Sequence, residues 1–319
     1  MTSTASIGVM LPRDLPAHQV LDYARAAERI GFDELWVVED LGFRGGLSQA
    51  AAVLASTERI AVGIGILPAA SRNIAFAAME IATLAQLFPG RAVVGIGHGM
   101  PGWMRQAGCW PERPLTFLSE YTEGLRALLA GDTLDGTVAG ARLEGVRLEP
   151  SSLPETVPPL VLGVRGPRSL ATSGQVADGT VLAEPVTPEY VVAAREQIAA
   201  QGAHRVVAYN IAAVDPDPDV AVATARPGLE WIGEPDWAPH LAPLPFAAEF
   251  AALRAGCATR QEFVERLPAP WVQQLALAGS PDQVRARIDD LAAAGVTSNV
   301  LIPAGPDPLA ALEQLAAVL

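Results

Sequence analysis

The sequence predicts an α/β protein of the (β/α)8 TIM-barrel type. Short β-branched runs alternate with longer stretches of helical period, the alternation repeats about eight times, and half of the residues are hydrophobic, enough for a large core. Strict alternation fits a barrel better than a doubly wound sheet, and in a barrel the chemistry sits at the C-terminal ends of the strands. The 319 residues are read as one domain, with insertions after the fourth and seventh strands.

The first strand is "SIGVML" (Ser6 to Leu11). It leads into "LPAHQVLDYARAAERIG", where Leu15, Val20, Tyr23, Ala24, Ala27 and Ile30 form an apolar stripe and Gly31 ends the helix. The same grammar recurs in "ELWVVE" with "GLSQAAAVLAS", in "RIAVGIGIL" with "NIAFAAMEIATLAQLF", and in "RAVVGIG" with "TFLSEYTEGLRALLAG". A hairpin-like insertion, "TLDGTVAGARLEGVRLEP", separates these from "PLVLGV" with "GPRSLATSGQV", "GTVLAE" with "PEYVVAAREQIAAQG", and "HRVVAYNIAAV".

The segment from Asp215 to about Ala278, residues 215–278, is rich in Pro and Trp and shows no strand pattern. It is expected to be helical turns and loops inserted over the active-site mouth. Trp103, Trp231, Trp237 and Trp271 are candidates to line that pocket or to pack a core. The chain closes with "SPDQVRARIDDLAAAGV", where Ser280 can cap, Pro281 takes the first helical position and Gly295 stops the helix, followed by "SNVLIP" and "DPLAALEQLAAVL".

Composition removes several functions. A formal net charge of −13 argues against nucleic acid as a partner, because that affinity comes from clustered Lys and Arg on phosphates. All 22 basic residues are arginine, so a P-loop lysine, a Schiff-base aldolase and a pyridoxal-phosphate enzyme are excluded. Cys109 and Cys257 are far apart, as in a reduced compartment. The four histidines show no metal-ligand spacing, so no metal is expected. The start "MTSTASIGVMLPRDLP" has no leader character, and no window reaches the roughly 18 apolar residues of a membrane span. A cytoplasmic location without membrane contact is expected.

Reading off the strand ends collects glycines, arginines, His98 and the carboxylates Glu39, Asp40 and Glu184 at one mouth. In "GIGHG" (Gly95 to Gly99), G-x-G-x-x-G fails because Met100 stands at the last position, which weakens a Rossmann reading. The glycines serve either tight packing or the close approach of a flat ring, and His98 adds a titratable group. In "GVRGPRSL", Pro167 favours a first helical turn whose free N–H groups attract an anion, and Arg165 and Arg168 can add bidentate contacts. The same stretch also suits an ordinary βα loop.

The ordered set "AAERIGFDELWVVED", "STERIAVGIGILPAASRNIAFAAMEIATLAQLFPGR", "VGIGHGMPGWMRQAG", "LGVRGPRSLATSGQVADGTVLAE" and "GSPDQVRARIDDLAAAGV" resembles the luciferase-like superfamily. Within it the set is similar to the coenzyme F420-dependent (deazaflavin) oxidoreductases related to methylenetetrahydromethanopterin reductase. The resemblance implies a flavin or deazaflavin at the strand C-terminal mouth, its phosphate on the turn of Gly163, Val164, Arg165, Gly166, Pro167 and Arg168. It further implies a third-strand bulge with a non-proline cis peptide at Gly65 and Ile66, and ring contacts at Gly97, His98 and Asp40. Many relatives carry His where Asp40 stands.

The implied activity is a hydride-transfer oxidoreductase using coenzyme F420 on a small organic substrate, with His98, then Asp40 and Glu184, as proton-handling candidates. An FMN-dependent monooxygenase and a non-catalytic flavin-binding barrel are the alternatives. Arg72 and Arg44 are candidate contacts for the acidic tail of F420. A homodimer packed through barrel helices is the candidate assembly.

Overall fold

A computed structural model describes residues 5–319; the first four residues of the stretch read for a leader lie outside them. Eight parallel strands close into a barrel: β1 (Ser6–Met10), β2 (Glu34–Val37), β3 (Ala61–Pro68), β4 (Ala92–Gly97), β7 (Leu160–Gly163), β8 (Gly179–Leu182), β9 (Arg205–Val214) and β11 (Ser298–Pro303). They neighbour one another in that order, and closure comes from β8 on β9 and β11 on both β9 and β1. The hairpin predicted after the fourth strand is β5 (Leu134–Val138) with β6 (Ala141–Val146).

Two features depart from the sequence reading. The segment 215–278 ends in a short strand, β10 (Leu277–Gly279), which pairs with Ala212–Val214 of β9. β9 is ten residues long and outruns β8, whose pairing stops at Ala208, so its upper half offers an unpaired edge. Three residues are too few to show an alternation. The other is the helix Pro101–Gln106, an element the sequence reading does not contain; Pro101 at its first turn starts it. No described helix is long and apolar enough to cross a membrane.

Outward-facing strand residues pack against the helical ring, while Trp36, Val93, Val161, Val181, Val207, Tyr209 and Val300 fill the barrel interior. Large rings fit because glycines face them. A Cβ on Gly63 would stand 2.2 Å from the Trp36 indole, and one on Gly65 would stand 2.1 Å from the Tyr209 hydroxyl. The rest of segment 215–278 builds a second apolar cluster, where Trp271 stacks on Phe246 at 4.7 Å.

The bottom of the barrel is closed by a buried carboxylate. Glu34 is 3% exposed and accepts from Trp36 Nε1 at 2.7 Å, from Ser298 Oγ at 2.7 Å, and from the Arg205 guanidinium. These bonds tie β2, β9 and β11 together across the interior. Removing one partner of such a pair strands the other charge, so Glu34→Ala is expected to cost about 3–5 kcal/mol. Urea unfolding checks this; a midpoint within experimental error of the parent would show that the pair closes nothing.

Candidate active site

Barrel geometry delivers all the predicted site residues to one end. At the end of β3 the ladder with β4 slips between Ile64 and Leu67, and the Gly65–Ile66 peptide is cis. The slip throws the Ile66 side chain across the mouth. A Cβ on Gly163 would lie 2.5 Å from Ile66 Cγ2, and one on Gly97 would lie 2.9 Å from Ile66 Cδ1. The space those glycines leave is therefore taken by Ile66. Their absent side chains serve packing, and what remains for a flat ligand is the apolar floor that Ile66 makes.

The turn after β7 has Gly166 at φ 80 and ψ 152, a backbone region that only glycine adopts readily. It precedes the helix Pro167–Val176, whose start carries no side-chain cap and no acidic residue. Pro167 has no N–H, so the uncapped first-turn amides are those of Arg168 and Ser169, and a Cβ at Gly166 would meet nothing within 4 Å. This is an open cradle with positive potential. Val164 is buried below it, and Arg168 is exposed.

Arg165 is engaged elsewhere. Its Nη1 donates to the Asp236 carbonyl at 3.2 Å, and its guanidinium lies 4.9 Å from the centre of the Trp237 ring. Trp237 in turn donates from Nε1 to the Glu184 carbonyl at 2.9 Å. The insertion therefore holds both the β7 turn and the end of β8.

Glu184 is half-buried, and burial pushes its carboxyl up; Arg165 and Arg13 oppose that shift while Asp40 adds to it. Asp40 Oδ2 accepts from Arg13 Nη1 at 2.7 Å. Structure thus brings Asp40 and Glu184 within electrostatic range of each other. His98 follows β4, with its ring 6.4 Å from that of Trp110. Burial pushes the His98 imidazole below its ordinary value, which keeps it neutral at neutral pH.

The two arginines considered for an acidic tail are committed inward. Arg72 grips both oxygens of Glu39 at 2.6 and 2.7 Å, and Glu39 also accepts from the Gly46 amide. Arg44 donates to the carbonyls of Leu15, Pro12 and Arg13 and to Gln49. Among the tryptophans, Trp237 stands at the mouth, whereas Trp231 is exposed under Arg260.

Two groups, Tyr209 and His240, escaped the sequence reading of the mouth, and a third, Asn210, is read there only as a strand end. Tyr209 has a buried hydroxyl that finds no hydrogen-bond partner among the described residues, against Gly65. Asn210 clasps both main-chain polar groups of Val186. His240 stacks on Tyr190 at 4.3 Å and donates from Nδ1 to the Pro185 carbonyl. Asn210 and Tyr209 stood in a predicted strand, but no local spacing announces a contact with residues 24 or 144 positions away.

Burial pushes the His240 imidazole down to about 3. An unfolded chain takes up that proton near pH 6.5, and the folded one does not until about pH 3, so stability is lost as pH falls through this window. The slope is about 1.4 kcal/mol per pH unit. Between pH 7 and 5, His240→Phe is expected to lose about 2 kcal/mol less than the parent in denaturant unfolding. Equal losses would mean that the folded imidazole titrates normally.

The comparisons agree with this architecture. A family model described as luciferase-like monooxygenase matches residues 2–298. Over 322 residues the chain is 29% identical to the 5,10-methylenetetrahydromethanopterin reductase of Methanolobus tindarius, covering 93% of this chain and 94% of that protein. It is 34% identical over 192 residues to the F420-dependent glucose-6-phosphate dehydrogenase of Beutenbergia cavernae, covering 56% of this chain and 54% of that protein. The solved coenzyme F420 dependent tetrahydromethanopterin reductase from Methanopyrus kandleri superposes with a TM-score of 0.84 at 23% identity, covering 98% of each chain. With nearly its whole length matched by the family model, the chain belongs to the luciferase-like monooxygenase family.

Proposed function

We propose that this protein is a coenzyme F420-dependent oxidoreductase acting on a small organic substrate. The observation that carries the reading is the open, uncapped helix start at Gly166, in a chain that aligns nearly end to end with a methylenetetrahydromethanopterin reductase. The residues present fit such a cofactor. Free amides and Arg168 at the β7 turn suit a phosphate, and Ile66, backed by Gly97 and Gly163, offers an apolar surface for a flat ring.

When bound, the deazaflavin supplies or accepts a hydride. The chain's own part is to orient, to exclude water and to move a proton. Glu184, held toward its protonated form by burial, is suited to donate one. His98, held neutral, is suited to accept one or to orient a substrate oxygen. Asp40 is tied to Arg13, and its role is to set the charge balance around Glu184.

Titration of the purified protein with F420 and with FMN, each followed by cofactor fluorescence, tests the reading: F420 is expected to bind, and binding of FMN alone would overturn it. Gly166→Val forces a β-branched residue into a glycine-only conformation costing about 1–3 kcal/mol, so F420 affinity is expected to fall about tenfold or more. His98→Ala is expected to lower turnover about 10²-fold with F420 affinity nearly intact. Unchanged turnover removes His98 from the chemistry.

A further inference from the structure

The end of β8 is held by side chains from elsewhere. The Glu184 carbonyl accepts from Trp237, the Pro185 carbonyl accepts from His240, and the main chain of Val186 is clasped by Asn210. Two of these three contacts come from the turn 235–240 of the insertion. That turn also holds Arg165, through the Asp236 carbonyl at 3.2 Å and the Trp237 ring face at 4.9 Å. One aromatic side chain therefore touches the main chain of an acid and the guanidinium of the base nearest to it in charge effect.

We propose that Trp237 is a positioning residue: it fixes the Glu184 main chain and keeps the Arg165 guanidinium on its ring face, so that Arg165 does not close an ion pair with the Glu184 carboxyl. The consequence for function rests on the reading of Glu184 as proton donor; the positional claim does not.

The ionisable groups acting on Glu184 come from several elements. Arg165 arrives from the β7 turn, Arg13 from the end of β1, Asp40 from the end of β2, and the neutral Tyr209 from β9. From the insertion, His240 bonds the next carbonyl along, that of Pro185, and is itself neutral because it is buried. Arg13 is already occupied by Asp40 at 2.7 Å. Arg165 is thus the one of these cations whose partners are a carbonyl and a ring rather than a carboxylate, and both partners belong to residues 236 and 237. Freed from the ring, it keeps only a neutral carbonyl, and Glu184 is its natural counter-ion. A guanidinium within ion-pair distance would favour the carboxylate and withdraw the proton that a donor must hold.

The test reads Glu184 directly, without cofactor, by NMR titration of protein isotope-labelled at glutamate carboxyl carbons, the Glu184 signal being assigned by its loss in Glu184→Gln. Trp237→Leu removes both the N–H and the ring face, and the Glu184 midpoint is expected to fall by about 1–3 pH units. Trp237→Met does the same while filling more of the vacated space, and serves if the leucine variant does not fold. Trp237→Phe keeps a face for Arg165 and is expected to give a smaller fall. Adding Arg165→Gln to Trp237→Leu is expected to return the midpoint to the parent value or above, a rescue that a merely structural role of Trp237 would not give. An unmoved midpoint in the leucine and methionine variants, or a fall that persists in the double variant, overturns the proposal. Turnover of Glu184→Gln with reduced F420 tests the donor role separately: full turnover there removes that role and leaves the titration result standing.

Discussion

Three large side chains, Trp36, Tyr209 and Ile66, occupy the axis of the barrel, and each is admitted only because backbone without a side chain faces it. Gly63 clears the Trp36 indole, Gly65 clears the Tyr209 ring, and Gly97 with Gly163 clears Ile66. An interior packed near the density of a crystal leaves no slack for one more methyl at these points. The height at which the barrel stops being core and becomes mouth is set by Ile66, and the position of Ile66 is set by the slip in pairing between β3 and β4.

Charge is arranged differently at the two ends. Below, Glu34 is buried and fully bonded, and its partners come from three strands, so it serves closure. Above, most charges neutralise one another in pairs: Arg72 with Glu39 and Arg13 with Asp40. The arginines of the mouth therefore act largely as parts of the scaffold. Among the described residues Glu184 has no such ion-pair partner, and it lies where burial favours the neutral form. At the turn after β7, positive potential comes from the uncapped amides of the helix start and from the exposed Arg168.

The insertion after β9 contributes to the mouth as well as to its own apolar cluster. Through Trp237 and His240 it reaches the main chain at the end of β8, and through Asp236 it reaches Arg165. A segment far along the chain thereby fixes groups contributed by two earlier strand ends. The end of β8 and the turn after β7 are thus held by the same few contacts.

The barrel itself was legible in the sequence. Periodicity and turn residues determined eight strands in order, the hairpin after the fourth, and helix limits such as Ser280 with its capping box and Gly31 and Gly295 at φ above 110. These are local properties, settled within a few residues by hydrogen bonding and backbone sterics. The turn at Gly166 was equally legible, since a glycine before a proline at a helix start announces itself. What the tertiary structure decided was which side chains meet. Arg165 turned out to lie on a tryptophan 72 positions away, Ile66 rather than empty space fills the gap at Gly97 and Gly163, and β10 exists only because β9 outruns its neighbour. Such contacts arise from closing the barrel, a step that brings together residues whose separation along the chain carries no periodic signal.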